Sequence, residues 1–156
     1  MFDILHRVGI NAKPEKVFAA LTTIEGLRGW WISIAAGSTK EDEVIETGAF
    51  NMRVLSSIAN SLVEWKCVEG PAEWLNTEIT FHLVARDNQT YVMFKQSNWK
   101  KQTEFMYHSS TKWATLLLSL RDLVEHGKGQ AVPNDQKIFV GEGHATPLPI
   151  EGMAAS

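Results

Sequence analysis

A single cysteine, Cys67, has nothing to pair with in these 156 residues. An internal disulfide framework and a cysteine-rich metal site are thereby excluded. Basic clusters are equally scarce. Fifteen Lys and Arg stand against eighteen Asp and Glu, for a net charge of −3, and the nearest approach to a cluster is Lys100-Lys101. Nucleic-acid binding relies on cations that displace phosphate counterions, so the composition argues against a nucleic-acid partner. No stretch approaches the ~20 apolar residues of a membrane span. The opening Met1-Phe2-Asp3-Ile4-Leu5-His6-Arg7 carries an acid at its third position and no long apolar run, unlike a secretory signal. The five histidines (His6, His82, His108, His126 and His144) include no pair four apart with a glutamate between. The expectation is a soluble, cytoplasmic chain with no metal, no cofactor, no membrane span and no nucleic-acid partner.

Aromatic residues, by contrast, are abundant: seven Phe, two Tyr and six Trp. In a chain sized for one domain, rings at this density suggest a wide core, a pocket or a contact surface. Their periodicity separates these options. Ile4, His6, Val8 and Ile10 alternate on one face of a first strand. Pro14 suits the first turn of a helix, and Val17, Phe18 and Leu21 give it an apolar stripe. Thr22-Thr23-Ile24-Glu25 has the form of a capping box that opens a second short helix into Trp30-Trp31. Residues 35–43 read as a loop.

Four alternating runs follow, carrying Phe50/Met52/Val54, Val63/Trp65/Cys67, Ile79/Phe81/Leu83/Ala85 and Val92/Phe94 on their inner faces. Short connections between them, such as Asp87-Asn88-Gln89, predict an antiparallel meander. Continuing the last inner face places Gln96 and Asn98 among apolar neighbours, where an amide must find a partner. From about Thr103 to His126, apolar residues recur at three- and four-residue steps through Met106, Ser109, Trp113, Leu116, Leu117, Leu120, Leu123 and Val124. One long amphipathic helix, stopped by Gly127, could cover a whole curved sheet. Gly and Pro then supply 8 of the last 30 residues against 8 of the first 126, so residues 128–156 read as an irregular extension to a domain over 1–127. Ile138-Phe139-Val140 could dock there as a strand, although an arm lying over the domain is favoured.

Chemistry is sparse. Ser109-Ser110-Thr111-Lys112 matches S-x-x-K, but without the companion motifs of serine enzymes. Gly141-Glu142-Gly143 precedes Pro147 and Pro149 where a phosphate-binding helix would have to begin. Glu64, Glu78 and Arg86 are out of phase with the inner faces, and His82 points to solvent. No inward acid or base emerges, which argues against an enzyme.

The order of strand, two short helices, strand meander and long helix is that of an α+β helix-grip fold. The segments Ala12-Lys13-Pro14-Glu15-Lys16-Val17-Phe18-Ala19-Ala20-Leu21-Thr22, Glu25-Gly26-Leu27-Arg28-Gly29-Trp30-Trp31 and Trp74-Leu75-Asn76-Thr77-Glu78-Ile79-Thr80-Phe81 carry a more specific resemblance. With the helix around Trp113 ending Glu125-His126-Gly127, they resemble the START-like (SRPBCC) superfamily, and within it the family named for the activator of the 90-kDa heat-shock protein ATPase. The resemblance implies a curved antiparallel sheet gripping the long helix around an apolar cavity. Onto that cavity fall Trp31, Phe50, Met52, Trp65, Phe81, Leu83, Phe94, Gln96, Trp113 and Leu117. The leading expectation is a non-catalytic domain that binds a small hydrophobic or amphipathic molecule, oriented by Gln96 with His6 as a second candidate. A chaperone-associated protein-interaction domain is the alternative, and it predicts Trp74 and Trp99 in one exposed patch. A polyketide cyclase-like enzyme would require an ionisable group inside the cavity. A homodimer through the sheet edge or the tail is compatible with the sequence.

Overall fold

The computed structural model describes residues 1–143. Strand β1 (Phe2–Ile10) is followed by helices α1 (Pro14–Leu21) and α2 (Ile24–Trp30). Then come β2 (Ala36–Gly37), β3 (Val44–Glu46), β4 (Asn51–Ile58), β5 (Leu62–Glu69), β6 (Glu78–Arg86) and β7 (Gln89–Trp99), and finally α3 (Glu104–His126). The seven strands form one sheet in the order β1-β7-β6-β5-β4-β3-β2, every neighbouring pair antiparallel. Strands β2 to β7 are a simple meander, and β1 joins it beside β7. The curved sheet, the long α3 and the two short helices make this the helix-grip fold. Two strands, β2 and β3, occupy or border the segment read as a loop. At two and three residues they are too short to display a period of two.

The helix ends are fixed by local chemistry. Pro14 occupies the first turn of α1. Helix α2 is capped by Thr23, whose hydroxyl accepts from the Gly26 N–H. The cap therefore sits one residue beyond the predicted Thr22, whose own hydroxyl donates back to the Phe18 carbonyl. Thr103 accepts from the Met106 N–H at the start of α3. Gly127 ends it in the left-handed region at φ 83°, its N–H returning to the Leu123 carbonyl.

The inner face of β7 carries Val92, Phe94 and Gln96 as expected, but it does not continue to Asn98. That residue takes φ +73° and is exposed, and Trp99 turns inward in its place. The pairing register with β1 shifts at the same point, between Phe2 and Ile4. The extra residue reverses the alternation, as a bulge does.

All six tryptophans are buried, with Trp74 the most accessible at 5%. The expected exposed patch of Trp74 and Trp99 is therefore overturned. Four of the indoles form a stacked row from the sheet to the start of α3. Trp65 lies on Trp31 at 5.1 Å, Trp31 on Trp113 at 6.1 Å, and Trp113 on Trp74 at 5.9 Å, with interplanar angles of 16° to 23°. Phe81 and Phe94 meet the same row edge-on or tilted. Offset contacts at these separations are the favourable arrangement for aromatic pairs.

Past Gly127 the chain doubles back as an irregular arm. Gly129 enters it where a Cβ would lie 2.6 Å from the Gly29 carbonyl oxygen and 2.7 Å from that of Ser119. Only a residue without a side chain fits between α2 and α3 there. The Ser119 hydroxyl donates to the Trp30 carbonyl and accepts from the Gln130 N–H. Val132 then exchanges backbone hydrogen bonds with Trp31 and Ser33. Ile138, Phe139 and Val140 form no strand; Phe139 lies edge-on to His108 of α3. The rest of the extension, with His144, Pro147 and Pro149, falls outside the described residues.

Candidate functional site

The space between sheet and helix is largely filled by side chains. Trp65, Phe81, Phe94 and Trp113 close it with ring separations of 4.7 to 6.4 Å. Gln96, wholly buried, is satisfied inside that core. Its amide donates to the Thr77 hydroxyl at 3.0 Å, and its carbonyl accepts from the Trp113 indole at 2.9 Å. It is a structural link between β7, α3 and the residue that precedes β6. His6, half-buried on β1, lies against the carbonyl and hydroxyl of Ser110 at 2.9 and 3.1 Å. Neither residue reaches an open cavity.

A cleft of about 510 Å³ lies at one end of the aromatic row. Four segments converge on it: the turn after α2 (Trp31 to Ile34), the β3–β4 turn (Thr47 to Phe50), Trp74 before β6, and the α3 face from Phe105 to Leu116. The arm closes the remaining side with Val132, Pro133, Asp135, Lys137, Glu142 and Gly143. Of the ten residues assigned to a cavity from sequence, Trp31, Phe50 and Trp113 line this cleft. Met52, Trp65, Phe81, Leu83, Phe94, Gln96 and Leu117 are packed in the core away from it. The displacement follows from size: aromatic side chains on both layers fill the middle of the sheet, and this cleft opens where the strands give way to turns.

One wall of the cleft is aromatic. Phe50 lies over Trp74 at 4.2 Å, and Phe105 continues the row beyond Trp74. The Trp74 indole donates to the Ser109 hydroxyl at 3.0 Å, which fixes the ring against α3.

The opposite wall is ionic. The Lys112 ammonium donates to Asp135 Oδ2 and pairs with Glu142 Oε2, both at 2.6 Å, and donates to the Gln136 carbonyl at 2.9 Å. Lys137 takes the second oxygen of Asp135 at 2.9 Å. The second oxygen of Glu142 accepts from the Ile138 N–H at 2.6 Å. Both carboxylates are 4% exposed, so their charges depend on these partners. Burial alone would raise the Asp135 pKa, but the hydrogen bonds from Lys112 and Lys137 outweigh it and hold the carboxyl below its usual value. With all three donors engaged, Lys112 is no base for Ser109, and the S-x-x-K match carries no nucleophile.

His108 completes this wall between Phe105 and Phe139. Burial lowers its pKa; Glu142 opposes the shift and Lys112 adds to it. Ionisable groups therefore do line the cleft, contrary to the reading that the interior holds none. Periodicity could not reveal them. Lys112 has the spacing of a solvated helix face, and its partners lie 23 and 30 residues further on, in a segment without a repeat. No cluster of His, Cys, Asp or Glu among the described residues is arranged to hold a metal ion.

The sequence model of the family described as activator of Hsp90 ATPase homolog 1-like protein matches residues 11–125. Among solved structures, the Aha1 dimer from Colwellia psychrerythraea is 43% identical, with 83% of this chain and all of that one covered and a TM-score of 0.76. CalU16 from Micromonospora echinospora is 16% identical over 80% of this chain and 77% of that one, with a TM-score of 0.67. A protein from Staphylococcus saprophyticus is 20% identical over 83% and 97%, with a TM-score of 0.71. The last two share the fold alone. No curated protein sequence matches the chain.

Proposed function

The chain belongs to the family of activator of Hsp90 ATPase homolog 1-like proteins, and we propose that it encloses one small apolar or amphipathic molecule in the cleft beside α3, as a binding module and not a catalyst. The observation that carries this reading is the cleft itself. Its volume of about 510 Å³ falls within the range of small-molecule sites, which are mostly apolar with a few placed polar groups. Here three indoles and two phenyl rings supply the apolar side, and His108 with the ionic wall supplies the polar one. Trp31, Trp74 and Trp113 all line the cleft, so occupancy should alter intrinsic fluorescence. Titration with a panel of lipids, sterols and polycyclic aromatics should give saturable quenching or a spectral shift. Trp74→Phe should remove part of that signal while keeping the fold. A full panel without saturable change, together with no copurified molecule, would refute the reading.

The family and the 43% identity to a protein described as a dimer favour a second reading, a module that contacts a chaperone or a second copy of itself. Leu5 and Met93 are exposed on the neighbouring strands β1 and β7 and offer an apolar surface for such contact. Light scattering across a concentration series, and the ATPase rate of the host's chaperone with excess protein, test it. A strict monomer that leaves the rate unchanged would remove it.

A further inference from the structure

The ionic wall of the cleft is closed on itself. Two ammonium groups, Lys112 and Lys137, face two carboxylates, Asp135 and Glu142, and all four carboxylate oxygens already accept a hydrogen bond or ion pair. Lys112 spends its third donor on the Gln136 carbonyl, and Lys137 donates also to that of Pro133. A charged ligand entering here would lose its hydration and find no uncompensated opposite charge. It would have to break one of these pairs or remain unpaired.

His108 differs from its neighbours. Among the described residues its ring has no hydrogen-bond partner, although it lines the cleft and lies between two phenyl rings. The groups facing it are Lys112 on its own helix and Glu142 on the arm. A neutral imidazole offers one N–H donor and one acceptor nitrogen, so it can meet a hydroxyl or a carbonyl equally well. One helical position on, the buried Ser109 hydroxyl accepts from Trp74 and keeps its own proton to donate.

We infer that the cleft selects a ligand whose polar end is uncharged, a hydroxyl or carbonyl bound by His108, and discriminates against the same skeleton bearing a carboxylate. The inference rests on the cleft being a ligand site and adds what it accepts. His108 is then a specificity-determining residue. Its lowered pKa keeps the ring neutral at and above pH 7; on protonation in acid it adds a positive charge to the cleft, and the discrimination fades.

The test is calorimetric titration of the full chain with 2-naphthol and 2-naphthoate at pH 8 and pH 5.5. At pH 8 the naphthol should bind about tenfold or more tightly than the naphthoate, the scale of one unpaired buried charge or lost hydrogen bond. At pH 5.5 that ratio should shrink. His108→Gln, which keeps a donor and an acceptor but no titration, should preserve the pH 8 preference and abolish its pH dependence. His108→Leu should weaken naphthol several-fold and narrow its preference over naphthoate. Naphthoate binding as tightly as naphthol at pH 8, or His108→Leu binding naphthol like the parent, would overturn the inference while the cleft remains a binding site. If neither probe binds, the ligand-site reading falls and this inference with it.

Discussion

Replacing Lys112 by methionine isolates what holds the arm in place. The substitution keeps most of the apolar stem and removes the ammonium group with its charge and its donors. It leaves Glu142 with a single backbone N–H and Asp135 with Lys137 alone. Both carboxylates are 4% exposed and Lys112 only 14%, so this is a buried network, whose rupture by loss of one partner costs about 3–5 kcal/mol. The loss should appear locally, because the arm has two separate anchors. Residues 130–132 are held by the Ser119 hydroxyl and by the backbone pairing of Val132 with Trp31 and Ser33, none of which involves Lys112. Residues 135–142 depend on Lys112 and Lys137. The Lys112→Met protein should therefore keep its global melting behaviour while the distal arm opens. A loss of about 3 kcal/mol corresponds to roughly a hundredfold faster amide exchange where exchange follows local opening. Hydrogen-exchange mass spectrometry should show this at Ile138 and Glu142, with the amides of Gln130 and Val132 unchanged. Adding Asp135→Asn and Glu142→Gln to Lys112→Met should recover part of the protection, since no buried charge is then left unpaired. Distal amides exchanging at the parent rate in Lys112→Met would refute the reasoning, and so would uniform loss of protection along the whole arm.

Three further outcomes are expected. Gln96→Leu orphans the Trp113 indole N–H in a dry core, while the Thr77 hydroxyl keeps its bond to the Trp74 carbonyl, and at about 1–3 kcal/mol for a stranded buried donor it should lower the urea midpoint; an unchanged midpoint would contradict the linking role. The pKa of Asp135 is lowered on folding, so its contribution is complete above the unfolded value of about 3.8 and vanishes as pH falls through the lower folded one; His108, also lowered, contributes fully above about 6.5 and progressively less in acid. Arm protection, expressed relative to the intrinsic exchange rate at each pH, should thus fall on acidification, with the most acidic step missing in Asp135→Asn. Burial pushes the Cys67 thiol up to about 12, against a weaker lowering by its bond to the Glu69 carbonyl, so alkylation at pH 8 should be undetectable until denaturant unfolds the protein; rapid labelling of the folded chain would show the site is accessible.

Periodicity made much of the fold legible. Trp65, Phe81 and Phe94 sit on strands with a clean alternation, and Trp113, Leu117 and Leu120 on a helix with a clean stripe, so each could be aimed inward from sequence. Asn98 could not, because a bulge leaves no mark in hydropathy and reverses every position after it. Trp74 and Trp99 lie beside segment ends, where period arguments lapse, and tertiary packing decided their burial. The cleft was the least legible part. Its aromatic wall combines Trp31, Phe50, Trp74 and Phe105 from four separate segments, and its ionic wall joins α3 to residues with no repeat at all. Seven residues placed on a cavity by their inward direction are buried and do not line this cleft, and direction alone does not distinguish a lining side chain from a packed one.

The arm has a consequence for how this architecture can diversify. The family match ends at residue 125, and the arm begins three residues later. The scaffold that folds and the strip that brings Asp135, Lys137 and Glu142 to the cleft are thus carried by separate stretches of chain. Exchanging residues 133–143 would recast the electrostatics of the site without altering one strand pairing or one cap of the three helices. A graft of that strip from a relative is then a direct test of the proposed ligand site, with the stacked indoles retained as a built-in optical readout.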